Sequence, residues 1–263
     1  EAGEPLPSEL GDALQDGTAI GGARPKALLT DAHGRQYIAK FSLSSDTYSV
    51  VGAEATSMAL ARSVGIEVAP SHVVSSLGRD VLLMERFDRP GDGTRKMVVS
   101  ALTMLGYGEM TSHYGTYPEI LDVLRALGRE PGAAGEQLFR RIAFNIAIHN
   151  TDDHLRNHAA FWDGEYLELT PAYDLSPTSR SGETAEQVIA YGRDGEKTSN
   201  FAALVDVHHV YGLSRPRAAE IVDSMVETIR EKWGEASDEG RLTSVDREFM
   251  WGRQFLNRAA FYG

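Results

Sequence analysis

The chain has 263 residues, 42% hydrophobic and 24% charged, values of an ordinary folded protein that exclude wholesale disorder and fibrous repeats. Its formal charge of -12 excludes a broad nucleic-acid or anionic-membrane surface, because phosphate backbones are bound through clustered Lys and Arg. It contains no cysteine, which excludes disulfides, thiolate zinc sites and a cysteine nucleophile, so any metal must be held by oxygen or histidine.

No apolar stretch approaches the roughly 18 to 20 residues that cross a bilayer. The opening EAGEPLPSEL lacks the basic and apolar segments of a signal peptide, so a cytoplasmic protein is expected. Glu1 stands where a Met would begin a nascent chain, which points to a processed or trimmed product. In GTAIGGARPKALL, Gly17, Gly21 and Gly22 let backbone N–H groups approach a phosphate without side-chain obstruction. The segment matches neither standard nucleotide-loop pattern, and a plain turn leading into a strand is the competing reading. Ala27–Thr30 and Gln36–Phe41 flank the turn-like DAHG and read as a hairpin, with Tyr37, Ala39 and Phe41 alternating along the second strand. Helical periodicity over Gly52–Val64 places Glu54, Met58 and Ala61 on one face. Ser71–Ser75 and Asp80–Met84 read as two more strands.

Beyond about residue 97 the pattern becomes mostly helical, first over Tyr117–Leu127 and Glu136–Ile148, with short strands at Ala159–Trp162 and Tyr166–Leu169. Ser214 reads as an N-cap and Pro216 suits the first turn of its helix. Ile221, Met225, Val226, Ile229 and Trp233 then form a core-facing stripe up to Gly234. Strands first and helices after, without alternation, predict an α+β chain of two lobes. A small strand-rich N-lobe is expected over 1–90 and a larger, mostly helical C-lobe over 91–263, with the site in the cleft between them.

The chemistry-bearing residues are spread through both parts. Lys40 lies in YIAKF on an expected strand, and Glu54 follows fourteen residues later on the next helix. A lysine reaching phosphates needs such a carboxylate to fix its flexible ammonium. In LLMERFDR, Glu85 and Phe87 fall at the expected junction of the lobes, where backbone can meet adenine; a salt-bridged connector is the alternative. HNTDDHLRNH, at 149–158, separates Asp152 from Asn157 by four residues. That is the spacing of a phosphoryl-transfer loop, in which an aspartate accepts the acceptor's proton and an asparagine carbonyl coordinates magnesium. The same spacing also suits residues that cap and turn the end of the preceding helix. Asp174, seventeen residues after Asn157, lies in TPAYDLSPT, a second candidate magnesium ligand or a simple turn.

Taken in order, GGARPKALL, YIAKF, LLMERFDR, FNIAIHNTDDHLRNH and LTPAYDLSPT resemble the characteristic segments of HipA-type serine/threonine kinases, toxin components of bacterial toxin–antitoxin systems. The last two segments are the most specific. The resemblance implies a two-lobed protein-kinase-like fold and ATP with Mg2+ as cofactors. It implies Asp152 as catalytic base, Asn157 and Asp174 as magnesium ligands, Lys40 at the phosphates and His154 near the γ-phosphate. It sets the nucleotide against Gly21, Gly22, Ala23, Lys26, Lys40, Glu54, Glu85 and Phe87. It further implies a serine of an aminoacyl-tRNA synthetase as acceptor, growth arrest as the outcome and a helix-turn-helix antitoxin as partner. Two departures limit it. The family often carries an autophosphorylated serine just before the paired glycines; here Thr18 either takes that role or the control is absent. Full-length members also carry an N-terminal subdomain, whereas only sixteen residues precede the loop here. The chain is accordingly truncated, naturally short, or complemented by a separate subdomain chain.

Three rivals stand beside this reading. His149, Asp152, Asp153, His154 and His158 offer ligands for a metal-dependent phosphohydrolase, but leave Lys40 and Asp174 without a role. A small-molecule kinase would use the same ATP-handling residues. A noncatalytic pseudokinase would not need the lysine, the base and both metal ligands together.

Overall fold

A computed structural model describes residues 24–76, 78–179, 182 and 184–262. Gly17, Thr18, Gly21, Gly22 and Ala23, the expected phosphate loop, lie outside the described residues. The strand-rich part is an antiparallel sheet in the order β1-β2-β4-β3, built from β1 Lys26–Thr30, β2 Gln36–Phe41, β3 Ser71–Ser76 and β4 Arg79–Glu85. The DAHG turn closes β1 on β2 as expected. Asp31 Oδ1 accepts the N–H groups of His33 and Arg35, and Gly34 takes a left-handed φ of 81°.

Between β2 and β3 runs α1, Val50–Ser63, capped by the Ser49 hydroxyl, which accepts the Gly52 N–H. The helical part contains β5 Met97–Ser100, α2 Ala101–Met104, α3 Tyr117–Leu127, α4 Pro131–Ala147, β6 Ala159–Trp162 and β7 Leu167–Leu169. It continues with α5 Phe201–Asp206, α6 Arg215–Glu239 and α7 Ser244–Met250. Strands β5, β6 and β7 form a second antiparallel sheet. The architecture is α+β with two lobes, as expected. Among the described residues no helix is long and apolar enough to cross a membrane.

Several elements depart from their sequence expectation for identifiable reasons. Residues just beyond 97 form strand β5 rather than helix, because β6 supplies its hydrogen-bond partner from sixty residues away. Helix α4 begins at Pro131 rather than Glu136, with proline in the first turn, where its missing N–H costs nothing. Helix α6 runs through Gly234 to Glu239. The one-sided face expected for α1 is instead burial all round: every residue from Val51 to Ala61 is buried. The helix is covered by the sheet on one side and α6 on the other.

The period-2 rule divides the first sheet. Ala27, Ala39, Phe41, Val81 and Leu83 make a small core on its outer face. Ile38, Leu82 and Met84 point to the opposite face and join the main core with α1. Lys40 follows the parity of that inner set. Helix α1 meets the end of α6 at backbone contact: a Cβ at Gly240 would lie 2.5 Å from the Gly52 carbonyl oxygen and 2.1 Å from Thr56 Oγ1. Beyond α1, Ala172 donates its N–H to the Glu67 carbonyl at 2.7 Å, and Val68 bridges Ala172 in parallel. Gly240→Ala is expected to cost about 1–3 kcal/mol by overpacking, read as a lower thermal midpoint; an unchanged midpoint would show that α1 and α6 part without strain.

Candidate active site

The β2 strand places Lys40 between Lys26 of β1 and Leu82 of β4, with its side chain on the α1 face. The residue is 5% exposed, so its ammonium needs partners. It has two: Nζ lies 2.5 Å from Glu54 Oε1 and 2.6 Å from Asp174 Oδ1. Burial opposes the charge on Lys40, but the two carboxylates outweigh it and hold its pKa up to about 12. Burial pushes the Glu54 carboxyl above its usual range, against the pull of Lys40. Burial also opposes ionisation of Asp174, but the charge and hydrogen bond of Lys40 hold it below the usual range, with Lys26 and His154 adding to the pull. The two carboxylates differ because the Glu54 side chain is 4% exposed and that of Asp174 36%. One ammonium thus faces two carboxylates.

Helix α4 ends at Ala147, and the chain turns sharply through His149, which has a left-handed φ of 54°. The loop beyond it sends adjacent aspartates in opposite directions. Asp152 is exposed, and among the described residues nothing holds its carboxylate, although its carbonyl accepts the Asn157 side-chain amide at 3.4 Å. Asp153 is buried, and its Oδ2 accepts the Tyr117 hydroxyl and pairs with His158 Nε2 at 2.8 Å. His154 buries an Nδ1 that has no hydrogen-bond partner among the described residues. Asn157 is 7% exposed in the short 3-10 turn Leu155–Asn157.

Asp174 also takes a left-handed φ, 59°. Such a conformation costs a non-glycine residue on the order of 1–3 kcal/mol and persists only where its surroundings impose it. Asn150 Nδ2 reaches both Asn145 Oδ1, at 3.0 Å, and the Asp174 carbonyl, at 3.4 Å. The Tyr173 hydroxyl donates to the Arg156 carbonyl at 2.6 Å. The two loops are therefore joined by hydrogen bonds on both sides of Asp174.

At the junction of the lobes, Glu85 donates its N–H to the Pro70 carbonyl and Arg86 donates to Gln36. Pro70 has no N–H with which to bond the Glu85 carbonyl in return. The Phe87 ring stacks against Phe161 and Tyr173, with centroids 5.7 and 5.8 Å away. Asp88 pairs with Arg86 and Arg89, so the connector is salt-bridged as well. Asn157 and Asp174 offer an amide and a carboxylate oxygen, hard donors of the kind magnesium takes, and Asp174 already holds a cation in Lys40. Among the described residues no three His, Asp or Glu side chains gather to hold a metal. Among the described residues the ligand set of the hydrolase rival does not gather, and Asp153 Oδ2 is taken by Tyr117 and His158.

Residues 18–233 match the family model of the HipA-like C-terminal domain. The chain belongs to that family. The serine/threonine-protein kinase toxin HipA of Shewanella oneidensis is 30% identical over 189 residues, which cover 62% of this chain and 42% of that protein. The chain spans less than half the length of the curated relatives it matches. Among solved structures, the Shewanella oneidensis HipA, HipB and operator DNA complex superposes with a TM-score of 0.69 at 21% identity, covering 95% of this chain and 71% of the other. The Helicobacter pylori proinflammatory kinase CtkA superposes with a TM-score of 0.55 at 12% identity, over 84% of this chain and 90% of the other. The fold is protein-kinase-like, as the sequence resemblance implied.

In this HipA-like domain the structure brings Lys26, Lys40, Glu54 and His154 into electrostatic reach of Asp174. It sets Asp152 and Asn157 on one loop, and packs the Phe87 side chain against the C-lobe. Sequence reasoning missed Asn150 and Thr178, although each lies inside a quoted motif: neither residue type signals a role until its partners are known. Lys40→Met leaves Glu54 buried without its cation, a loss of about 3–5 kcal/mol. Because the folded pKa of Lys40, about 12, lies above its unfolded value, the stabilisation is complete below the unfolded pKa and fades as pH rises through the folded one. Unfolding midpoints of wild type and Lys40→Met should differ through neutral pH and converge toward pH 12; a gap independent of pH would assign the loss to packing.

Proposed function

We propose that this domain transfers the γ-phosphoryl group of ATP to a serine or threonine of a protein, with magnesium. The observation that carries the reading is the Lys40 ammonium shared between Glu54 and Asp174, together with a loop whose Asp152 carboxylate has no partner among the described residues. Lys40, fixed by Glu54, directs its charge at phosphate oxygens. Asp152 orients the acceptor hydroxyl and takes its proton as the acceptor oxygen bonds to the γ-phosphorus. The bond from that phosphorus to the β,γ-bridging oxygen breaks, and ADP leaves. Asn157 and Asp174 would hold magnesium, which would supply positive charge to the phosphates. His154, within electrostatic reach of Asp174, helps to position the γ-phosphate. Positioning and preorganised charge do most of the work in such a transfer.

In this reading the N-lobe spans 1–90 and carries Gly21, Gly22, Ala23 and Lys26 at the phosphates and Glu85 and Phe87 at the adenine. The C-lobe spans 91–263. Membership of the HipA-like family, with a relative named as a kinase toxin and a neighbour solved with HipB and operator DNA, supports three further elements. They are a protein of the translation machinery, such as an aminoacyl-tRNA synthetase, as acceptor; a helix-turn-helix antitoxin as partner; and a cytoplasmic location. Asp152→Asn should bind ATP normally and lose phosphoryl transfer by about 10²–10⁴-fold. Labelled ATP, magnesium and a lysate of the source organism provide the assay. Wild-type turnover in this variant would remove Asp152 as the base, and label confined to small metabolites would replace the protein acceptor with a small molecule. Asp174→Ala should weaken nucleotide binding in magnesium; unchanged affinity would take Asp174 out of the metal site.

A further inference from the structure

A carboxylate that accepts a proton has to be aimed, and the Asp152 side chain has no partner among the described residues to aim it. Its direction is therefore set by the backbone on either side. After it, the Asn157 amide holds the Asp152 carbonyl. Before it, Thr151 is held at two points. Its carbonyl accepts the Val188 N–H at 3.2 Å, and its hydroxyl lies 2.8 Å from Thr178 Oγ1.

The Thr178 hydroxyl has a single proton, and this is committed: Oγ1 donates to the His149 carbonyl at 2.9 Å, beside the Thr178 N–H, which reaches the same oxygen at 3.0 Å. Thr151 must accordingly be the donor to Thr178. Both donors converge on the carbonyl of His149, a residue in the left-handed region that such bonds help to retain. Thr178 lies four residues beyond Asp174 in the chain. Its one side chain fixes the start of the base loop to the segment that carries the metal-binding candidate.

We propose that Thr178, through Thr151 and the His149 carbonyl, is a positioning residue that sets Asp152 relative to Asp174. The proposal rests on the reading of Asp152 as base. It does not require Thr178 to touch nucleotide or acceptor. Loss of the hydroxyl lets the base loop shift while the Lys40, Glu54 and Asp174 cluster stays intact, so turnover falls and nucleotide binding does not.

The test uses the full chain, labelled ATP with magnesium, and transfer to proteins of a source-organism lysate, with ADP affinity measured by calorimetry. Thr178→Val keeps the shape and removes the hydroxyl; a displacement near 1 Å at a reacting group predicts a fall in kcat of about 10²-fold, with the ATP KM and ADP affinity within about threefold of wild type. Thr178→Ser returns the hydroxyl and should restore the rate. Equal losses in the Val and Ser variants would show that any change of side chain at this position lowers the rate, whether or not the hydroxyl is kept, and would overturn the proposal. So would an unchanged rate in Thr178→Val. If Thr178→Val does not fold, Thr151→Val decides: it breaks the hydroxyl pair while leaving both Thr178 bonds to His149, and an unchanged kcat in that variant overturns the proposal. Asp152→Asn, run alongside, separates the two ideas. Turnover retained there defeats the base assignment itself, whereas loss there with full activity in Thr178→Val defeats only the clamp.

Discussion

One buried ammonium organises this molecule. Lys40 enters from the middle of a sheet, and its two partners come from a helix 14 residues away and a loop 134 residues away. An unpaired charge at that depth would cost several kcal/mol, so the fold has to deliver both carboxylates. Much of the surrounding packing can be read as the means of doing so. Helix α1 is buried on all sides and seated on the end of α6 through Gly52 and Gly240, which fixes the height of Glu54 above the sheet. The bridge from Val68 to Ala172 ties the exit of α1 to the chain just before Asp174. The strand-rich and helical lobes thus meet through the Lys40 centre, the packing of α1 on α6 with its Arg62–Glu239 pair, and the backbone contacts that hold these parts in place.

Two strained backbone positions lie at the same centre. His149 and Asp174 both have positive φ, and neither is glycine. They open the two loops that the proposed chemistry uses. Glycine at either position would relax the backbone and enlarge the set of conformations open to each loop. The side chains present instead accept a local cost, which Asn150, Tyr173 and Thr178 offset by hydrogen bonding from one loop to the other. At these two loops strain and its compensation fall together; the other two non-glycine residues with left-handed φ among the described residues, Arg241 and Leu256, lie outside them.

Local signals were readable in the sequence, and contacts between distant segments were not. The Asp31 turn, the Ser214 cap and the limits of α3 each depend on a few neighbouring residues, and all appear where the pattern places them. Lys40 and Glu54 were paired correctly because a strand followed by a helix is a short-range unit. The second partner of Lys40 is not legible locally: the sequence offers Asp174 as a metal ligand or a simple turn, and nothing nearby says that the lysine reaches it. Strand β5 escaped notice because its partner β6 is remote. Gly132 and Gly135 obscured the first turns of α4, yet Gly135 is required there, since a Cβ would lie 2.1 Å from the Tyr211 carbonyl oxygen. The phosphate-loop expectation falls on residues before Arg24, outside those described.

Asp152 and Asp153 are chemically identical neighbours with opposite fates. Asp153 is buried and receives the Tyr117 hydroxyl and His158, while Asp152 beside it is exposed. The inward residue anchors the loop to α3 through Tyr117, and Asn145 and Asn150 extend the same network to the Asp174 carbonyl. A general base cannot be held by strong donors without losing its basicity, because each donor stabilises the ionised form and lowers its affinity for a proton. Under the proposed mechanism the loop therefore needs two carboxylates: one that takes the structural hydrogen bonds, and one beside it that is left free of them.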